Sequence, residues 1–136
     1  IDTNVVIDFL TTREPFYKVS SNIMEKCANG ELDGYIAFHS VPNLWYILRK
    51  TPEEKRREWL LDVCDILRVK GASHDEVVNA IRMKDFDDFE DCLQDRCAGE
   101  AGAKFIITRN VSDFEKSAIP AISPEDFLKV CESLED

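Results

Sequence analysis

No uninterrupted apolar run in the chain approaches the roughly 20 residues needed to cross a bilayer, and no signal-peptide pattern is seen, so no membrane role and a cytoplasmic location are expected. There is no Cys-x-x-Cys pair, and neither His39 nor His74 clusters with cysteine in a zinc-type spacing. The five cysteines are odd in number (Cys27, Cys64, Cys92, Cys97, Cys131), and four fall at apolar positions of apparent helices, so they read as buried small hydrophobes in a reducing compartment. Positive charge is scarce. With 17 Lys and Arg against 27 Asp and Glu, the net charge of −10 argues against broad adsorption to nucleic acid or anionic membranes. One local basic patch remains, Arg49, Lys50, Lys55, Arg56 and Arg57, and its simpler account is a solvated helix face paired with Glu53, Glu54 and Glu58. Repeats, linkers and low-complexity segments are also missing, so residues 1–136, 44% of them apolar, are expected to form one domain around one core.

What is present is a carboxylate cluster joined to a strand end. In residues 84–114, Asp85, Asp87, Asp88, Glu90 and Asp91 lie within seven positions, ahead of an apolar strand at 105–108 that exits at Arg109-Asn110. Two carboxylates about 4 Å apart repel by roughly 4 kcal/mol at an effective dielectric near 20, so several that converge call for a cation, best a divalent metal. A helix starting near Asp88 would place Asp88, Asp91 and Asp95 on one face and turn Phe89, Cys92, Leu93 and Cys97 inward. For Asp88, a capping role at the helix start explains the residue equally well.

The remaining pattern alternates strands with helices. Ile1 reads as the tail of a truncated first strand, with Asp2 at its carboxyl end. Residues 15–29 form an amphipathic helix and 34–38 a buried strand. A helix from Pro42 turns Leu44, Ile47 and Leu48 inward, with Asn43 on its first turn and Trp45 and Tyr46 as packing residues. Residues 52–67 continue as a helix burying Trp59, Leu60, Val63, Cys64 and Leu67, with 66–69 open to a strand reading, and 74–83 form another helix around Val77, Val78 and Ile81. An edge strand at 119–122 and a helix after Ser123-Pro124 close the chain. This order defines an α/β protein with a mostly parallel sheet, and such sheets bind ligands beyond the carboxyl ends of their strands. That rule gathers Asp2, Asn43, Asp91, Asn110 and Asp113.

Four motifs in order then carry a resemblance: Asp2-Thr3-Asn4 with Asp8, Ser40-x-x-Asn43-x-x-Tyr46-Ile47-Leu48, Asp88-Phe89-Glu90-Asp91, and Ile106-Ile107-Thr108-Arg109-Asn110-x-x-Asp113-Phe114. Together they resemble the PIN domain family over nearly the whole chain. The resemblance implies a three-layer α/β/α sandwich with a central sheet of four to five mostly parallel strands. It implies a Mg²⁺- or Mn²⁺-dependent ribonuclease acting on single-stranded RNA, commonly the VapC-like toxin of a toxin–antitoxin pair, with an antitoxin partner and a homodimer expected through the helical pair at residues 42–67. By position, Asp2, Asp91 and Asp113 would hold the metal, with Asn43, Asp88 and Asn110 completing the catalytic set and Asn4, Thr108 and Arg109 contacting substrate; a hydrogen bond from Thr108 to an inner carboxylate and a surface salt bridge for Arg109 are the alternatives. Hydrolysis would leave a 5′-phosphate.

Asn43 and Asn110 depart from the acidic pattern. Each amide can offer a carbonyl oxygen but adds no charge. A degenerate module that binds RNA or a protein without cleaving is therefore the competing reading. Phosphotransfer proteins with similar acidic pockets fit less well, because Asp2-Thr3-Asn4 is not Asp-x-Asp and no lysine follows the later strand end.

Overall fold

The computed structural model describes residues 1–135. In chain order these form α1 (Thr3–Leu10), α2 (Tyr17–Ala28), β1 (Tyr35–Ala37), α3 (Ser40–Ile47), α4 (Glu53–Ile66), β2 (Arg68–Lys70), α5 (His74–Arg82), α6 (Phe89–Ala101), β3 (Ile106–Ile107), a 3₁₀ turn (Val111–Phe114), β4 (Ala121–Ile122) and α7 (Pro124–Glu135). Short apolar runs such as Ile106–Ile107 are buried on both faces, which is the pattern of parallel strands covered by helices. β1 pairs with β2 and β3 with β4, both in parallel, with Ile36 opposite Val69 and Ile106 opposite Ala121.

The expected central sheet of four to five strands is not what the described residues form: they make two separate parallel pairs. Ile1 and Asp2 bridge them. The Ile1 amino group donates to the Tyr35 carbonyl at 2.8 Å, and the Asp2 amide donates to the Ile107 carbonyl at 2.9 Å. The two pairs are joined there by a single bond on either side. A cavity of about 430 Å³ continues the gap, lined by Ile23, Cys27, Ile36, Cys97, Ile106 and Phe127 among others.

α1 joins the hydrophobic interior on both sides of that gap. Val6 packs with Met24, Ile36, Leu44, Val63 and Leu67, whereas Val5 packs with Ile23 and Ile107 beside Phe105, Ile122, Phe127 and Leu128. Each such burial stabilises by roughly 1.5–3 kcal/mol relative to exposure. α6 packs on β1 and β2 and against α5, while α2 packs against α1, α4 and α7.

Several side chains point away from where periodicity placed them. α3 is two turns long and fills the core with Leu44 and Leu48, four residues apart, which rotates Ile47 outward to 47% exposure. Tyr46, expected to pack, is 64% exposed. Phe89 and Ile81 are likewise exposed rather than inward, because the single buried stripes of their helices are filled by Cys92 with Cys97 and by Ala80. Cys64 is exposed, Cys131 is half-buried, and Cys27, Cys92 and Cys97 are buried; all five thiols are free. Among the described residues no helix is long and apolar enough to cross a membrane.

Gly34 marks the tightest approach in this core, since a Cβ there would lie 2.5 Å from Leu67 Cδ2 and 2.7 Å from Cys27 Sγ. Gly34→Ala is expected to destabilise the protein by about 1–3 kcal/mol through overpacking, read as a lower urea midpoint; an unchanged midpoint would show that Leu67 and Cys27 yield freely.

Candidate active site

Asp2 is the first residue to be fixed. It sits in extended backbone as the cap of α1, with Oδ1 accepting from the Thr3 amide at 2.7 Å. Its Oδ2 accepts from Thr108 Oγ1 at 2.7 Å and from Asn4 Nδ2 at 3.3 Å. Thr108 follows β3 and extends its pairing, donating its amide to the Ile122 carbonyl at 3.0 Å. Its hydroxyl oxygen in turn accepts from the Asn110 amide at 3.0 Å. One buried hydroxyl therefore ties the start of α1 to the exit of β3.

Around Asp2 opens a cleft of about 480 Å³, lined from α1 by Thr3, Asn4 and Ile7, from α3 by Asn43 and Ile47, from the start of α6 by Asp88, Glu90 and Asp91, and from the turn after β3 by Arg109, Asn110 and Asp113, with Arg13 at its edge. Asp113 is placed by the 3₁₀ turn, whose first bond runs from its amide to the Asn110 carbonyl at 3.0 Å. α3 is oriented by Thr3 Oγ1, which donates to the buried Ser40 Oγ at 2.9 Å. The cleft thus lies at the carboxyl ends of β1 and β3, where a parallel sheet offers its ligand site.

The electrostatics converge on Asp91. Burial, and then the carboxylates of Asp88, Asp113, Asp2 and Glu90, push its carboxyl from an ordinary 3.8 up to about 7. Asp88 takes its capping role, its Oδ1 accepting from the amides of Glu90 at 2.7 Å and Asp91 at 3.4 Å, and still lines the cleft. His39, just before α3, is held below its usual pKa by burial against the opposing pull of Glu90 and Asp2, and its Nε2 has no hydrogen-bond partner among the described residues.

All nine candidate residues read from the sequence are drawn to this region, but not in one role. Asp2, Asn4, Asn43, Asp88, Asp91, Asn110 and Asp113 line the cleft. Thr108, expected to touch substrate, is fully buried and acts on Asp2 instead. Arg109 also lines the cleft, yet its guanidinium is engaged by the fully buried Asp8, Nε to Oδ2 at 2.7 Å and Nη2 to Oδ1 at 3.3 Å, and it lies 4.1 Å over the Phe16 ring. Asp95, one helical turn beyond Asp91, turns away and accepts from Ser117 Oγ and from the Ala118 amide at 3.1 Å. Two charged lining residues were not singled out as site residues from the sequence. Glu90 accepts from Asn43 Nδ2 at 2.8 Å, and its place inside the acidic cluster was the available signal. Arg13 carried no signal, because only the turn after α1, with the Arg13 amide bonded to the Asp8 carbonyl at 3.0 Å, brings it round.

The donor set is oxygen throughout, which suits a hard divalent cation. Asn4 Oδ1 is a buried acceptor with no partner among the described residues, and it lies on the side chain that bonds Asp2. No three His, Cys, Asp or Glu side chains among the described residues stand close enough to form a closed ligand shell. An ion that keeps waters and phosphate oxygens in its shell needs only one or two carboxylates, so the cleft fits Mg²⁺ or Mn²⁺ in that mode.

Parallel strand pairs covered by helices, with a carboxylate-lined cleft at the strand ends, define the class as an α/β protein with an acidic strand-end site. Within that class the chain belongs to the PIN domain family, whose model matches residues 1–112. It is also similar to Ribonuclease VapC1 of Aquifex aeolicus (strain VF5), 27% identical over 133 residues that cover 95% of this chain and 92% of that protein. No solved structure matches it.

Thr108→Val is expected to lower stability by about 1–2 kcal/mol, since it removes the stronger of two hydrogen bonds to Asp2 Oδ2 and leaves the Asn110 amide without its acceptor, while Thr108→Ser retains most of it; equal urea midpoints for Val and wild type would remove the hydroxyl from this role. Asp91 gives a pH dependence. Its folded pKa of about 7 exceeds the unfolded 3.8, so the native chain binds the proton more tightly, and the associated stability is lost as pH rises between those values. In EDTA, Asp91→Asn should therefore show a flatter Tm against pH than wild type across that interval and a higher Tm above it. Parallel curves would mean that Asp91 ionises normally.

Proposed function

We propose that the protein is a Mg²⁺- or Mn²⁺-dependent endoribonuclease that hydrolyses phosphodiester bonds in single-stranded RNA and serves as the toxin of a type II toxin–antitoxin pair. The observation that carries this reading is the convergence of Asp2, Asp88, Glu90, Asp91 and Asp113 on one cleft, where burial and the neighbouring carboxylates push the Asp91 carboxyl up and a bound cation would relieve the repulsion. Asp2, Asp91 and Asp113 would hold the ion, one or two of them directly and the rest through its waters, with Asp88 in support. When bound, the ion supplies Lewis-acid stabilisation of phosphoryl charge and a water acidic enough to serve as nucleophile near neutral pH.

The chain's own groups do the rest. The Thr3, Thr108 and Asn4 hydrogen bonds hold Asp2 in one orientation and leave a free lone pair on its Oδ1, while Oδ2 accepts from both Thr108 and Asn4. Asn43 offers its amide to Glu90 and so keeps that carboxylate turned to the cleft without adding charge. Arg13, which makes no ion pair among the described residues, is the cation available to a substrate phosphate, since Arg109 is committed to Asp8. Hydrolysis on this plan uses no 2′-hydroxyl nucleophile and leaves a 5′-phosphate. The antitoxin would present a basic side chain to the same acidic cleft, and self-association through the α3–α4 face belongs to the same reading.

A second reading, a non-catalytic module that binds RNA or a protein, is favoured by the neutral Asn43 and Asn110 in the cleft. Cleavage of a labelled single-stranded RNA pool by wild type and Asp91→Asn, in Mn²⁺, Mg²⁺ or EDTA, separates the two. Expected are metal-dependent products with 5′-phosphate ends and a loss of about a hundredfold or more in the variant. No cleavage in any metal by correctly folded protein would support the binding module.

A further inference from the structure

The rim of the cleft carries an aromatic–cationic pair that its chemistry leaves unused. Asn43 and Ile47 of α3 line the cleft, and Tyr46, three residues from Asn43 and next to Ile47, falls on the same side of the helix. Its ring is 64% exposed. The Arg49 guanidinium lies 4.4 Å from the ring centroid and is held there by a 3.2 Å bond from Nη1 to the Tyr46 carbonyl. The neighbouring Trp45 is different: it is half-buried, with Arg56 4.1 Å over its ring and Arg57 at 5.2 Å. Trp45 is a packed residue and Tyr46 an open one.

Charge points to the occupant. Lys55 and Arg57 are paired with Glu58 and Glu53, whereas Arg49 and Lys50 make no ion pair among the described residues. In a chain of net charge −10, this is positive charge beside a cleft that otherwise repels phosphate. A polyanion entering the cleft gains most by laying its flank here. An exposed ring next to a guanidinium binds unpaired bases by stacking and the adjoining phosphate by charge, and a duplex, with its bases already stacked, has none to offer.

We propose that Tyr46 and Arg49 form a nucleotide subsite at the cleft rim, where a base of single-stranded RNA flanking the phosphate in the cleft stacks on the Tyr46 ring and Arg49 neutralises the next phosphate. The subsite rests on the reading of the cleft as an RNA site. Its test is binding rather than turnover: fluorescence anisotropy of a labelled oligouridylate, with the hybridised duplex as control, in EDTA and in Ca²⁺, for wild type, Tyr46→Ala, Tyr46→Phe and Arg49→Gln. Expected are a preference for the single strand, a loss of roughly five- to a hundredfold for Tyr46→Ala, near wild-type affinity for Tyr46→Phe, and for Arg49→Gln a weaker affinity with a salt slope shallower by about 0.7. Cleavage in Mn²⁺ is followed in parallel. Binding that depends on Tyr46 without any cleavage supports the subsite and defeats the nuclease reading. Cleavage with Tyr46→Ala binding as tightly as wild type overturns the subsite and leaves the nuclease standing. Loss of a dimer on size exclusion in Tyr46→Ala, with RNA affinity unchanged, assigns the face to a second copy of the chain and also overturns it, as does failure of the wild type to bind the single strand.

Discussion

Mutual repulsion among carboxylates is the constraint on which this structure turns. Five acids face one cleft, and nothing in their own chemistry would keep them together. The fold holds them with neutral donors instead: a threonine hydroxyl and a backbone amide on Asp2, two helix-start amides on Asp88, and an asparagine amide on Glu90. Each such bond to a charged oxygen contributes more than a neutral one, about 1.5–3 kcal/mol, and none of them cancels the charge. The repulsion therefore stays available to a cation, and Asp91, which has no such donor set of its own, is where burial first and repulsion second raise a carboxyl.

Beneath the cleft lies the opposite solution. Asp8 is fully buried, and Arg109 meets it with two hydrogen bonds while stacking on Phe16. Removing one partner from such a pair leaves an unpaired buried charge, which is strongly destabilising, whereas the intact pair adds little net stability. Its geometric effect is larger. It pins the residue just before Asn110 to α1, the helix that Asp2 caps, so the strand exit and α1 are fixed to one another twice, through Thr108 at the helix start and through Arg109 near its end.

Much of this was legible in residue order, and the limits have physical causes. The helices at 15–29, 52–67 and 74–83 followed from apolar periodicity, and the gathering of Asp2, Asn43, Asp91 and Asp113 followed from the rule for parallel strand ends. Individual side chains resisted. Asp88, Asp91 and Asp95 share a helical stripe, yet the loop at 117–119 draws Asp95 inward, and no local pattern encodes a partner more than twenty residues away. Thr108 and Arg109 at a strand exit suit either a substrate contact or a bond to a carboxylate of the protein, and only their tertiary partners, Asp2 and Asp8, decide for the second. The sheet fared similarly: alternation indicates parallel strands, but whether they fuse into one sheet depends on what lies between β1 and β3.

The adjacent valines of α1 carry a consequence for how the molecule comes apart. Val5 and Val6 project into different hydrophobic clusters, one built on β3 and the other on β1. A helix anchored this way cannot loosen on one side and keep its grip on the other, because two neighbouring residues on one turn move together. The two strand pairs thus share a single fate in partial opening. Slow amide exchange in one half should be matched by slow exchange in the other, and the cleft between them opens only at the expense of both.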